Sequence, residues 1–183
     1  LTVAHGRQAA VGDVLANLLS RSGFEVGREY YLNDRGRQMY ILGQSVYLRW
    51  EELQGKKSDF PPDYYRGKYI KKLARLLNPE KMPAPGQKLS PGERREVIEY
   101  CSDFASGRLL EMIRDELDDF GVKIDNWVSE KEMVESGRVA AVLNTLDKKG
   151  ETYRDEGALW FCSSQRGDEK DRVLRKSGGD LTY

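Results

Sequence analysis

The sequence predicts an α/β fold that is interrupted by a helical insertion. Apolar residues recur at helical spacing after Ala9 and alternate with polar ones after Phe24, so a helix is followed by a strand. All six prolines lie between Pro61 and Pro91, where an inserted segment breaks this pattern. Shorter helix and strand patterns return after Gly121. Together these observations indicate an α/β domain that carries an insertion.

The first helix is expected to be buried, because its apolar residues repeat every three or four positions. These residues are Val11, Val14, Leu15, Leu18 and Leu19. Gly23 follows as a C-terminal cap. A strand is predicted from Phe24 to Leu32, and residues 33–36 (Asn-Asp-Arg-Gly) have turn chemistry. A second helix is predicted from Gln38 to Leu53.

The insertion is predicted to span residues 55–120, between a first part of the core (1–54) and a return to the core (121–183). Its long helix begins at Ser90, because Pro91 fits the first helical position and Glu93 can close a capping box. After the insertion we predict a strand over residues 122–128, a short helix over 139–146 and a strand over 158–162. Trp127, Trp160 and Phe161 are predicted to be core residues.

Composition narrows the classes of function. Thirty Lys and Arg residues balance thirty Asp and Glu residues, so any contact with nucleic acid must be local. His5, Cys101 and Cys162 do not have the spacing of a zinc site, and we predict free thiols and no metal ligands. No apolar run reaches the roughly 20 residues of a membrane span. With no signal peptide in its first residues, the protein is predicted to be cytoplasmic.

Several stretches carry a resemblance to a known family. They are Thr-Val-Ala-His-Gly-Arg at 2–7 with Ala-Ala-Val-Gly-Asp at 9–13, the segment 29–38 (EYYLNDRGRQ), 65–70 (YRGKYI), 125–130 (DNWVSE), 157–161 (GALWF) and 167–174 (GDEKDRVL). In this order they resemble the class I arginyl-tRNA synthetases. The first stretch is similar to the "HIGH" signature of that family. The resemblance implies a Rossmann-like class I synthetase nucleotide-binding core, incomplete here, with a helical insertion.

The resemblance implies an ATP-dependent ligation of arginine to tRNA(Arg), with Mg²⁺ carried on the nucleotide and a monomeric enzyme. His5 and Thr2 would be catalytic, and ATP would contact Thr2, Ala4, His5 and Gly6. Thr2 stands where the family commonly has a first histidine, and Ala4 where glycine is commoner. Threonine can donate a hydrogen bond to phosphate, while the alanine methyl group is expected to reduce ATP affinity.

Two further groups of residues are implied to contact arginine and tRNA. Asn33, Asp34 and Gln38 follow the carboxyl end of a predicted strand, where ligands of α/β sheets bind, although turn chemistry alone also explains them. Tyr183 would help to select the arginine side chain together with an aspartate four residues later. Two interpretations remain for the basic residues near Tyr65 and Tyr69: they contact the acceptor end of tRNA, or they form a solvated helix face. They are Arg66, Lys68, Lys71 and Lys72, with Arg75 beside them.

Three readings of function follow. We predict the catalytic core of an arginine–tRNA ligase, and we expect the isolated chain to be inactive, because both ends look cut and the second ATP signature loop is missing. The rival is a non-catalytic, synthetase-derived module that binds tRNA or protein. A weaker alternative is a class I synthetase for another amino acid.

Overall fold

The computed structural model describes residues 2–84 and 86–182, and the chain divides into two units, residues 1–130 and 131–183. The helices are α1 (Val3–Arg21), α2 (Arg37–Leu53), α3 (Lys68–Arg75), α4 (Pro91–Asp119), α5 (Glu130–Glu135) and α6 (Arg138–Lys148). The strands are β1 (Glu29–Leu32), β2 (Asn126–Ser129), β3 (Thr152–Asp155), β4 (Ala158–Phe161) and β5 (Arg172–Arg175). The predicted mixture of helices and strands is confirmed.

The sheet of the first unit consists of two parallel strands. Glu29 of β1 pairs with Asn126 of β2, and the register continues to Leu32 and Ser129. The connection between the strands contains α2, α3 and α4. Both strands are shorter than predicted, because pairing begins only at residue 29 in β1 and at residue 126 in β2. Phe24 lies in the loop before β1 with 63% of its surface exposed. The alternation over residues 24–28 therefore does not reflect strand pairing, whereas that over residues 29–32 does.

The core of the first unit lies between α2, α3 and α4. Val46, Ile70, Cys101 and Ala105 are fully buried there, one or more from each helix. Burial raises the pKa of the Cys101 thiol to about 12, which keeps it protonated. Helix α2 is buried at every position from 41 to 48, rather than along one stripe, because α3 and α4 both pack against it.

Helix α4 begins as predicted. Ser90 Oγ accepts a hydrogen bond from the backbone N–H of Glu93 at 3.3 Å, and the Glu93 carboxylate accepts from the Ser90 N–H at 2.8 Å. Pro91 occupies the first turn. Hydrogen bonding to Ser90 lowers the pKa of Glu93. These two hydrogen bonds confirm the predicted capping box. It could be predicted because its signal is contained in four consecutive residues.

The predicted burial of α1 is wrong for the described structure. Ala16 is the one residue of α1 that is buried, whereas Val11 and Leu18 are 64% and 60% exposed. Its helical form and its end are as predicted, since Gly23 follows with φ of 90°. The opposite face of α1, which carries Gly12 and Ala16, is turned towards β1. Periodicity thus predicted an amphipathic helix correctly but could not show what covers the apolar face.

The second unit contains a three-stranded antiparallel sheet in the order β3-β4-β5. Strand β3 was not predicted from the sequence, whereas β4 and α6 were. A two-residue turn joins β3 to β4, and both of its residues have positive φ, 46° at Glu156 and 80° at Gly157. This backbone is typical of a tight hairpin turn. Tyr153 stacks on Trp160 across the strands, with ring centroids 6.2 Å apart.

No helix in the described ranges has the length and apolar character that crossing a membrane requires.

Candidate functional site

The first turn of α1 is closed by reciprocal hydrogen bonds between Thr2 and His5. The His5 backbone N–H donates to Thr2 Oγ1 at 3.5 Å, and the Thr2 N–H donates to His5 Nδ1 at 3.2 Å. Thr2 Oγ1 also lies 2.8 Å from Nδ1. This is a capping box in which histidine takes the position usual for Glu or Gln. The structure thus places both residues of the predicted catalytic pair at one helix N-terminus.

The cap also determines which imidazole nitrogen can act on a ligand. Because Nδ1 accepts a hydrogen bond from the Thr2 N–H, the proton of a neutral His5 ring belongs on Nε2. Nε2 is then a hydrogen-bond donor. Ala4 is exposed in the same turn, and Gly6 donates its N–H to Thr2 O at 3.0 Å. The turn can offer backbone N–H groups, a ring donor and the positive end of the helix dipole to an anion.

His5 lines a cavity of about 420 Å³ between α1 and β1. From α1 the cavity is lined by one helix face that includes His5, Gly12 and Ala16, and from the strand side by residues 27–30. Leu117, Val122 and Ile124 complete the wall. The first turn of α1 therefore opens into a concave space that is partly apolar.

The predicted arginine-contacting residues are separated by the structure. Asn33 and Asp34 line a second cavity of about 420 Å³, between the carboxyl end of β1 and α4. Ser129 Oγ donates to Asp34 at 2.6 Å, which joins the ends of the two parallel strands. Gln38 is exposed in the first turn of α2 and is not among the residues lining this cavity. Tyr30 lines both cavities and is the link between them. Tyr183 lies outside the described residues.

The basic residues predicted to contact tRNA fall into two groups. Lys68, Lys71 and Lys72 are exposed on α3, whose other face buries Ile70 and Leu73. The Arg66 guanidinium instead donates to the backbone carbonyls of Phe60 and Pro61. Arg66 thus holds its own loop together, while the three lysines remain a solvated cationic surface.

The charged turn of the second unit is tied together by two carboxylates. The Arg172 guanidinium donates two hydrogen bonds to Asp168, both at 2.7 Å. Asp171 accepts from the Ser164 backbone at 3.0 Å and from its hydroxyl at 2.7 Å. The bidentate arginine contact holds the pKa of Asp168 down at about 2. These bonds explain the sequence of this turn without a ligand.

We predict that Arg172→Gln raises the pKa of Asp168 from about 2 towards its usual value of 3.8. The depressed pKa means that the bridge contributes stability above the unfolded-state pKa and loses it as the pH falls through the folded-state pKa. Carboxyl NMR titration of the chain measures this shift directly. Arg154→Gln, on an exposed position of β3, is the control and should leave the Asp168 pKa unchanged. An Asp168 pKa that stays near 2 in Arg172→Gln would contradict the assignment.

Sequence reasoning missed a polar network beside the first cavity. Arg28, just before β1, contacts Asp13 and Asn17 of α1, and its backbone contacts Asp125 before β2. The spacing of Asp13 and Asn17 on one helix face was the available signal. Their partner could not be found, because the spacing on α1 does not indicate that Arg28, 15 and 11 residues away, turns back onto the helix.

Comparison with known proteins connects this site to a family. An arginine–tRNA ligase from Desulfosudis oleivorans is 46% identical over 183 residues, all of this chain, and one from Desulfovibrio desulfuricans is 47% identical over the same length. The predicted resemblance to arginyl-tRNA synthetases is confirmed. The chain spans about a third of the length of these curated relatives, 32% in each case. No protein-family model matches the chain.

Solved structures agree with this relation to the arginyl-tRNA synthetases. A crystal structure from Campylobacter jejuni, provisionally described as an arginyl-tRNA synthetase, has a TM-score of 0.83 and 35% identity. The match covers all of this chain and 39% of the Campylobacter jejuni chain. The arginyl-tRNA synthetase of Plasmodium falciparum has a TM-score of 0.56 at 16% identity, which supports the fold alone.

Proposed function

We propose that this chain forms part of the ATP- and arginine-handling core of an arginine–tRNA ligase. The observation that carries the proposal is the identity of 41–47% to arginine–tRNA ligases along the whole chain. In such a ligase the arginine carboxylate attacks the α-phosphate of ATP and pyrophosphate leaves. The arginyl group of the resulting adenylate then passes to the terminal ribose of tRNA, and AMP leaves. Catalysis then consists mainly of orienting reactants and stabilising negative charge.

The first turn of α1 is proposed to bind the ATP phosphates. Three groups support this role: the His5 Nε2–H donor, the backbone N–H groups of the turn and the helix dipole. The Thr2 hydroxyl is proposed to act mainly through His5, since Oγ1 lies 2.8 Å from Nδ1. Ala4 and Gly6 would lie beside the nucleotide. Magnesium would be carried by the phosphate oxygens, which are the ligands it prefers.

The fold is proposed to be an incomplete Rossmann-like class I synthetase nucleotide-binding core. Parallel strands β1 and β2 support this, because their connection is long and helical. Contacts of Arg28 with Asp13 and Asn17 indicate that the chain reverses between α1 and β1. The first turn of α1 would then face the carboxyl end of β1, where ligands of such folds bind. Residues 55–120 remain our proposed insertion.

Arginine and tRNA are assigned to two separate surfaces. Asn33 and Asp34 are proposed to line the arginine pocket, since they lie in the cavity beyond β1, with Gln38 and Tyr183 as further contacts. The exposed lysines of α3 are proposed to contact the tRNA backbone, because they form a local cationic surface on a chain with no net charge. A monomeric enzyme acting in the cytoplasm completes the proposal.

The proposal is tested by amino-acid-dependent pyrophosphate exchange and tRNA charging. The complete protein that contains this sequence should catalyse both with arginine and neither with lysine or glutamine. The isolated 183-residue chain should show only background exchange, with or without tRNA. Charging with another amino acid would refute the arginine assignment. Binding of tRNA by the complete protein without exchange for any of the three amino acids would instead favour the non-catalytic module.

A further inference from the structure

We propose that Arg28 is a positioning residue that fixes α1 to the edge of the β1–β2 sheet and thereby sets the place of His5. The inference rests on the proposed function, because the place of His5 matters for catalysis only if α1 begins at the nucleotide site. Arg28 lines the same cavity as His5 but belongs to the strand side of it. It is assigned no contact with substrate and no part in proton transfer.

The Arg28 side chain forms a closed polar network with two residues of α1. Its Nε donates to Asp13 Oδ1 at 3.1 Å, and one terminal nitrogen donates to Asn17 Oδ1 at 2.8 Å. Asn17 Nδ2 in turn donates to Asp13 Oδ2 at 2.8 Å. The planar guanidinium fork fixes the direction of both contacts. Since Asp13 and Asn17 are one helical turn apart, the network holds one face of α1.

The Arg28 backbone is attached to the sheet at the same time. Its N–H donates to Asp125 Oδ2 at 2.8 Å. Its carbonyl accepts from the N–H groups of Asp125 and Asn126 at 2.9 and 3.0 Å. These residues lead into β2, so Arg28 joins both strands. One residue therefore links the sheet edge to the helix that carries His5.

Other contacts of α1 within the described structure are weak. Ala16 is its buried residue, and its apolar stripe points away from the unit. The side chains of Arg28 and Asp13 are each 23% exposed, so their ion pair is partly shielded from water. A paired and hydrogen-bonded charge in such a place directs geometry more strongly than an exposed surface pair.

A disturbance at Asp13 is transmitted to His5 because both belong to one rigid helix face. A helix rises 1.5 Å per residue, so the two residues lie roughly 12 Å apart along α1. Tilting or rotating α1 about the network would move the His5 ring relative to β1. A misplacement of about 1 Å at a reacting group can reduce a rate roughly 100-fold. Loss of Arg28 should therefore reduce the rate through His5.

A double-mutant cycle in the complete ligase tests this route. Arg28→Gln should lower kcat of arginine-dependent pyrophosphate exchange by about 10- to 100-fold, with KM for arginine changed by less than about twofold. In a His5→Ala background, the same substitution should cost less than about threefold, because no imidazole remains to be misplaced. Arg28→Lys, which keeps the charge but loses the fork, should fall between Arg28→Gln and the parent enzyme.

Control variants and a structural readout separate the outcomes. Arg108→Gln removes an exposed pair with Glu111 (2.9 Å) and should leave exchange unchanged. The inference would be overturned if Arg28→Gln lowered kcat by the same factor in the parent protein and in His5→Ala. It would also be overturned if Arg28→Gln raised KM for arginine and left kcat unchanged. If the parent protein showed no exchange at all, the proposed function would fail. Amide hydrogen exchange would then test the positioning role of Arg28 without enzymatic activity. The network requires the backbone amides of α1, but not those of α4, to exchange with solvent faster in Arg28→Gln.

Discussion

Replacing His5 with alanine is expected to lower kcat/KM for ATP in the complete protein by about 100- to 1,000-fold, the range seen when one donor to a developing negative charge is removed. The reason is that Nδ1 is occupied by the Thr2 N–H, which directs the Nε2–H donor outward from the first turn of α1. His5→Gln retains a side-chain N–H donor and should keep part of the rate. Pyrophosphate exchange over a range of ATP concentrations measures both variants.

The control for His5→Ala must separate loss of a donor from loss of a helix cap. His5 and Glu93 hold the same position in the capping boxes of α1 and α4. Glu93→Ala removes the reciprocal capping bond of α4 and should lower stability slightly, but it should leave pyrophosphate exchange unchanged. Charging of tRNA by His5→Ala at the parental rate would exclude the assigned role of the imidazole.

Local sequence signals predicted the elements whose determinants are close in the chain. The start of α4 is specified by Ser90, Pro91 and Glu93, and the structure contains the expected reciprocal hydrogen bonds. The place of His5 in the first turn of α1 was predicted in the same way, from the helix that follows it. Burial of α1 was not predictable, because the spacing of Val11 and Leu18 indicates an apolar face but not its partner.

Features that depend on distant partners were not predictable from the sequence. Strand β3 is an exception, because its partner β4 is adjacent; it was missed because Tyr153 is the one apolar residue among Thr152–Asp155, which leaves no alternating pattern. Asn33 and Asp34 were placed correctly after a strand, but the wall facing them is provided by α4, more than 60 residues later. Arg28 carries no recognisable motif, and its importance emerges from contacts with two separate segments, α1 and the residues before β2.

A second large effect is expected at Gly43, where α2 crosses α4. A Cβ atom at this position would lie 2.3 Å from the carbonyl oxygen of Ile98 and 3.0 Å from Ser102 Cβ. Because the nearer atom belongs to the backbone of α4, no change of side-chain rotamer can relieve the contact, and the two helices must separate. Gly43→Ala should destabilise the chain by about 2–3 kcal/mol, as overpacking of a close-packed core does.

Gly107→Ala is the matched substitution, because its Cβ would meet no atom within 4 Å on the exposed side of α4. It should stabilise the chain by up to about 1 kcal/mol, since alanine has the higher helix propensity. Denaturant unfolding followed by circular dichroism compares the two variants. Opposite signs are expected, because the same chemical change meets a backbone carbonyl at Gly43 and open space at Gly107. Equal shifts would show that helix propensity, rather than the approach of α2 to α4, determines the effect at Gly43.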